Sequence, residues 1–332
     1  VHCSLFTVHC SLFTAPRRFG MRRQQLTADA ALLFVTAVWG ATFVMVQEAV
    51  TGFPVFAFLS LRFIMATAVL LPLFLRSVAG RSWQVRPAGA PLPVTGKSDT
   101  NRIRQTSLLP GIMVGLALFA GYAFQTFGLR LTTPAKAGFI TGFSVVLVPL
   151  GETLFLRRPP GRSAIVGVGL AAVGLALLSL QSDLSVSLGD LLVLCCAIAF
   201  AAHILLIGHF APSWPPLRLA FVQIATVAVV SSLAAFSVDR PIGWPPGNVW
   251  FAAAFTGLFA TALAFFIQSR AQQATTSTHT ALIFAAEPVF AGIFSFLLIG
   301  EVLGPRQILG CALILAGMLV AEYPGPRGNG EL

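Results

Sequence analysis

Two adjacent residues could do chemistry within an otherwise apolar stretch. Glu287 and Pro288 stand near the middle of residues 277–299. A charge at the centre of a membrane costs at least about 2.5–3.5 kcal/mol, so such a carboxyl faces a cavity or a partner, or carries a proton. Pro288 has no N–H and frees the carbonyl of Phe284. An acid beside a broken backbone bond suits a site that binds a proton and a substrate amine in turn. The plainer reading is a protonated acid hydrogen-bonded to a neighbouring helix.

Five further residue types offer polar chemistry in apolar surroundings. Arg62 lies about seven residues into its segment, roughly 10 Å deep at 1.5 Å per residue. The short Thr51–Pro54 connection makes Glu48 its expected partner, and anion binding is its functional alternative. His203 is either a hydrogen-bonded packing residue or a proton relay. Gln125, Gln223 and Gln268 carry donors and acceptors, with Gln125 expected on a cavity and Gln268 near an end. Trp39 and Tyr122 serve as aromatic walls or as ordinary packing. Glu152 is expected to pair locally with Arg157 and Arg158, while His209 and His279 are expected to be exposed at helix ends. No HExxH occurs, no metal site is expected, and the adjacent Cys195 and Cys196 lack the CxxC spacing.

The elements that hold these residues follow from composition. Of 332 residues, 56% are hydrophobic and 10% are charged, with a mean hydropathy of +0.85. Soluble domains carry roughly 25% charged residues, so this chain cannot cover a water-exposed surface. A soluble enzyme, a disordered chain and a nucleic-acid-binding module are excluded on that ground. The expected surroundings are a lipid bilayer. The formal charge of +10 is read as basic loops that set orientation, with no nucleic acid as partner.

Ten apolar segments can be marked: 29–48, 55–76, 108–130, 136–156, 163–181, 189–209, 217–238, 248–269, 277–299 and 305–323. Each is expected to be a helix, because a spanning segment must satisfy its own backbone. With the N-terminus cytoplasmic, fifteen Lys and Arg fall on inner segments and four (Arg130, Lys136, Arg240 and Arg306) on outer ones. That asymmetry predicts both termini cytoplasmic. Residues 1–28 form a tail, in which VHCSLFT occurs twice and Met21 is the expected start. Residues 77–107 read as a cytoplasmic linker, and 324–332 as a C-terminal tail.

The chain also repeats itself. At an offset of 161, Asp29 meets Asp190, Trp39 meets Phe200, Pro54 meets Pro215 and Arg62 meets Gln223. Past the linker the offset becomes 143: Gln125 meets Gln268, Thr132 and Thr133 meet Thr275 and Thr276, and Ile140 meets Ile283. Gly167 and Gly174 likewise meet Gly310 and Gly317. Five spans per copy is an odd number, so the second copy enters the membrane from the opposite side. Inverted repeats of this kind recur in secondary transporters, with substrate sites between the halves. Glycines seven apart lie on one helix face, where they suit a packed scaffold of the fifth and tenth helices or a dimer interface.

These residues resemble the EamA-type ten-helix branch of the drug/metabolite transporter superfamily over about 29–323. The resemblance rests on Trp39-Gly40-Ala41-Thr42-Phe43, on Leu61-Arg62-Phe63 and on Gln125 to Arg130. It rests further on Ala281 to Val289 with its Glu287-Pro288 pair, on Gly300-Glu301 and on Gly310 to Gly317. The first half departs from it: Ser144-Val145 stand in place of the Glu-Pro pair, Pro149 supplies the expected helix break, and Arg157-Arg158 replace Gly-Glu. The resemblance implies a carrier of small metabolites or drugs, often an exporter, with a cavity between the halves.

The expected protein is therefore an all-α membrane protein with ten transmembrane helices in two inverted five-helix repeats, 29–181 and 189–323. It moves a small organic molecule across the bacterial inner membrane by alternating access, without a cofactor. Glu287 and His203 are the proton-coupling candidates, and a homodimer is the remaining expected partner. The rival is a membrane-embedded enzyme acting on a lipid-linked substrate. It would need converging groups, whereas Glu287, Glu152, Arg62 and His203 lie on different segments. No GxxxxGK[ST] occurs for nucleotide use.

Overall fold

A computed structural model describes residues 15–82, 107–132, 134–157, 159–179, 187–239, 243–299 and 304–322. The duplicated heptapeptide, most of the 77–107 linker, Arg158, Glu301 and the C-terminal tail lie outside them. Among the described residues all regular structure is helical. The order is α1 (Ala15–Thr51), α2 (Val55–Ser82), α3 (Leu109–Leu129), α4 (Pro134–Gly142), α5 (Ser144–Phe155) and α6 (Arg162–Ser179). After the junction come α7 (Leu188–Phe210), α8 (Pro216–Val238), α9 (Gly247–Gly257) and α10 (Ala264–Ala271). The chain then continues as α11 (Ser277–Phe284), α12 (Glu287–Ile299) and α13 (Pro305–Glu322).

Local chemistry explains the ends. Ser187 and Asp190 form a reciprocal capping box at the start of α7. Thr276 accepts from the His279 amide at the start of α11. Prolines open α3 and α8, where a missing N–H does least harm.

Among the described residues, eight helical stretches are long and apolar enough to cross a membrane. Two shorter apolar helices, Arg162–Leu178 and Pro305–Ala321, fall on the fifth and tenth apolar segments. At eighteen residues each, α6 and α13 reach about 27 Å, just under the roughly 30 Å hydrocarbon layer. The outward faces are apolar: Val229, Leu233 and Phe236 on α8 are each more than half exposed. An exposed apolar surface of that extent requires a lipid solvent.

Three spans are not regular. The 136–156 segment breaks at Phe143, between α4 and α5. The expected break at Pro149 does not occur, because Pro149 lies within α5 and the helix continues through it. The 277–299 segment breaks at Ala285–Ala286, immediately before Glu287 and Pro288. Between α9 and α10 the helix widens into a π-helix over Leu258–Leu263.

The bundle has two ends. Thr51–Pro54, Arg130 and Asp239 share one pocket at the first end. There Asp239 accepts from the Ala57 amide at 2.8 Å. Asp29 lies twenty-two residues before Thr51 on α1, about 33 Å away, which places it at the second end. Gln273 donates to the Ala211 and Trp214 carbonyls, which puts the α10–α11 turn at the second end too.

The longest seam joins α6 to α13. A Cβ on Gly167 would lie 2.5 Å from the Gly317 carbonyl, and one on Gly174 would lie 2.6 Å from that of Gly310. The pairing order shows that the helices run antiparallel. The glycine faces therefore meet within one chain, which leaves that face unavailable to a second copy.

Candidate functional site

The polar centre is built on Arg62 of α2, which is 3% exposed. Its Nε donates to Thr261 Oγ1 at 2.8 Å. Its Nη2 donates to the Tyr122 hydroxyl at 3.2 Å and to the Ala260 carbonyl at 3.4 Å. The guanidinium also stands 4.7 Å from the Tyr122 ring centroid, a cation–π contact. Glu48 is exposed, and among the described residues no carboxylate pairs with Arg62. The expected Glu48–Arg62 pair is thus replaced. The π-helix turns a carbonyl and a hydroxyl toward the arginine, and neutral oxygens solvate the charge.

Trp39 of α1 reaches the same π-helix, donating from Nε1 to the Ala260 carbonyl at 2.8 Å. Its ring meets Phe284 at 4.8 Å and Phe265 at 5.8 Å. Tyr122 contacts Phe200 and Phe265 edge to face. These five rings make one continuous aromatic wall around Arg62.

A second polar chain lies beside it. His203 Nε2 is 2.8 Å from Gln223 Oε1, and Gln223 Nε2 donates to Ser269 at 3.2 Å. An amide oxygen only accepts, so the imidazole proton sits on Nε2. His203 also meets Phe265 at 5.5 Å. Replacing His203 with alanine would orphan the buried Gln223 oxygen, at a cost of about 1–3 kcal/mol. Thermal unfolding in detergent should show that loss, and His203→Asn should recover part of it.

Glu287 opens α12 directly after the helix break. The helix N-terminus favours a carboxylate there. Gly40 allows the approach of α1, since a Cβ on it would lie 2.9 Å from the Glu287 carbonyl. Trp39, next to Gly40 on α1, meets Phe284 on the other side of the break, so the break and Glu287 stand against the aromatic wall. The structure thus brings Trp39, Arg62, Tyr122, His203 and Glu287 to one region. Gln125, one turn from Tyr122 on α3, is half-buried and makes no hydrogen bond among the described residues.

Other expected partnerships differ. Glu152 accepts from Thr278 on α11, while Arg158, one of its two expected partners, lies outside the described residues. His279 is buried, 3.4 Å from Asp29. Gln268 lies near the end of α10 as expected, but it is buried there and bonds Gln272 at 3.0 Å. Thr261, Phe265 and Ser269 went unnoticed in the sequence, since small hydroxyls and phenylalanine are ordinary in spans. The only signal was the register that sets Phe265 opposite Tyr122. Among the described residues no group of His, Cys, Asp and Glu could hold a metal ion.

Apolar helices around a buried polar centre define a multi-pass membrane protein. The EamA-like transporter family model matches residues 26–180 and again 187–323, and the chain belongs to that family of membrane transporters. An uncharacterized transporter of Archaeoglobus fulgidus is 33% identical over 90% of this chain and 87% of its own. The uncharacterized transporter YyaM of Bacillus subtilis is 24% identical, over 88% of this chain and 92% of its own. A solved crystal structure at 20% identity superposes with a TM-score of 0.67, over 89% of this chain and 97% of that one. That likeness shows the fold alone.

Proposed function

We propose that this chain is a ten-span exporter of a small organic metabolite or drug, built from inverted repeats 29–181 and 189–323. It works by alternating access in the bacterial inner membrane, with both termini cytoplasmic. One observation carries the reading: the polar centre is shared by the halves. Arg62 and Trp39 of the first half both bond the 260–261 turn of the second. A site at the repeat interface changes its access when one half rocks against the other.

The helix contacts support the inversion. A two-fold exchange of halves sends Gly167 to Gly310 and Gly317 to Gly174. The Gly167–Gly317 contact then maps onto Gly310–Gly174, and both approaches occur. The breaks also correspond, Phe143 and Ala286 being 143 apart.

Within this reading Arg62, Trp39, Tyr122, Gln125, His203 and Glu287 bind the substrate or couple protons to its movement. Arg62 offers a charge that no carboxylate among the described residues neutralises. Glu287 is the proton acceptor at the broken helix. Metabolites inside and outside cells expressing the native chain and Glu287→Gln test this directly. One chemically unchanged compound should leave with the native chain at a pH-dependent rate, and the variant should lose that dependence. Equal movement with both would remove Glu287 from the mechanism. An altered lipid with no moving compound would favour the membrane enzyme.

A further inference from the structure

The repeats place equivalent residues at opposite ends of the bundle, and the two ends are in different states. At the first end α3 and α7 meet backbone to backbone. A Cβ on Gly189 would lie 2.7 Å from the Leu131 carbonyl carbon, and one on Gly128 would lie 3.0 Å from the Gly189 carbonyl. Thr132 donates to the Asp190 carboxylate. The other carboxylate oxygen accepts from the Ser187 amide at 2.9 Å.

The register assigns a counterpart to each member at the second end. Ala271 stands for Gly128, Ala28 for Gly189, Thr275 for Thr132 and Asp29 for Asp190. Two methyl groups replace two hydrogens at the crossing. The polar pair is not made: Thr275 Oγ1 and Asp29 Oδ1 are both buried without a hydrogen-bond partner. Asp29 Oδ2 instead lies 3.4 Å from His279 Nε2, which also makes no hydrogen bond. Buried polar atoms left unmet are rare and costly, and a single approach would satisfy the hydroxyl and the carboxylate together.

We infer that Thr132–Asp190 and Thr275–Asp29 are alternating latches of one transport cycle, the first engaged and the second released in this structure. This rests on the reading that the halves exchange conformations. Each latch sits at the start of a half-helix that ends at a mid-span break. Thr132 precedes α4, which runs to the break at Phe143. Thr275 precedes α11, which runs to the break at Ala285–Ala286 and so to Glu287. Closing the second latch therefore moves the half-helix that ends beside Glu287, and α4 is its counterpart behind the first latch.

Spin labels test the inference in the full chain, on a background with its five native cysteines replaced by alanine. Arg130→Cys with Leu191→Cys reports the first end, and Leu26→Cys with Arg270→Cys the second; all four side chains are exposed. In proteoliposomes, Thr132→Val should move the population toward a wide first end by about tenfold, and Thr275→Val should move it the opposite way by a similar factor. Thr132→Ser and Thr275→Ser should keep the native distributions. Gly189→Ala, which adds the methyl that the second end already carries, should act like Thr132→Val and serves if a valine variant does not fold. Two native states whose ratio none of these variants changes would overturn the latches and leave the exchange of halves standing. A native chain whose two ends widen together, or never widen, would overturn that exchange and the latches with it.

Discussion

Arg62→Met should abolish transport while leaving folding stability nearly unchanged. Methionine keeps the length and removes the charge. Thr261 and Tyr122 each lose a partner, at about 1–3 kcal/mol apiece. The Ala260 carbonyl keeps its bond from Trp39. Against that loss, the variant no longer buries a guanidinium whose desolvation costs several kcal/mol and which no carboxylate offsets among the described residues. The two effects are of similar size and opposite sign. On the proposal that Arg62 binds the substrate, transport has no such offset, because losing one partner of a buried charge contact costs about 2–5 kcal/mol. That is roughly 30-fold to several thousand-fold in affinity. Unfolding midpoints and transport rates on the same preparations check both halves of this expectation. Arg62→Lys should fall between, since a compact ammonium lacks the fork that spans Thr261 and Tyr122. A variant that loses stability and transport in parallel would make Arg62 a structural residue only.

The second large effect belongs to the α6–α13 seam. Gly317→Leu sets a side chain 2.5 Å from the Gly167 carbonyl, and Gly167→Leu does the reverse. Neither contact can be relieved by a flexible chain end, because the obstacle is backbone. Each substitution should cost about 1–3 kcal/mol or more as the helices separate. The double variant should cost less than the sum, because the first substitution has already opened the crossing. Gly169 is the internal control, since nothing lies within 4 Å of a Cβ there. Gly169→Ala should be neutral or stabilising by about 0.5–1 kcal/mol, the ordinary helix preference. Midpoints of thermal unfolding in one detergent would rank all four proteins.

How much of this was legible depends on the distance over which each feature is decided. Every apolar run marked in the sequence carries helix, because a run that excludes water leaves the backbone no other partner. The Glu287-Pro288 break was legible too, since a proline removes a specific hydrogen bond. Pro149 misled, because α5 absorbs it and the chain breaks six residues earlier at Phe143. No residue type announces the π-helix at Leu258–Leu263.

By itself the sequence determined the solvent, the helices and the duplication. Each of these rests on composition, apolar run length or a constant offset, all of which are properties of the linear chain. Only the tertiary structure decided that Arg62 bonds Thr261, 199 positions away, and leaves Glu48 exposed. It likewise decided that Asp29 faces His279 while Asp190 holds Thr132. Hydrogen bonds act over about 3 Å, so a partner is fixed only when packing sets the depth and rotation of two helices against each other. Gly128 and Gly189 allow a close backbone approach at the first end, where Ala271 and Ala28 are their counterparts at the second.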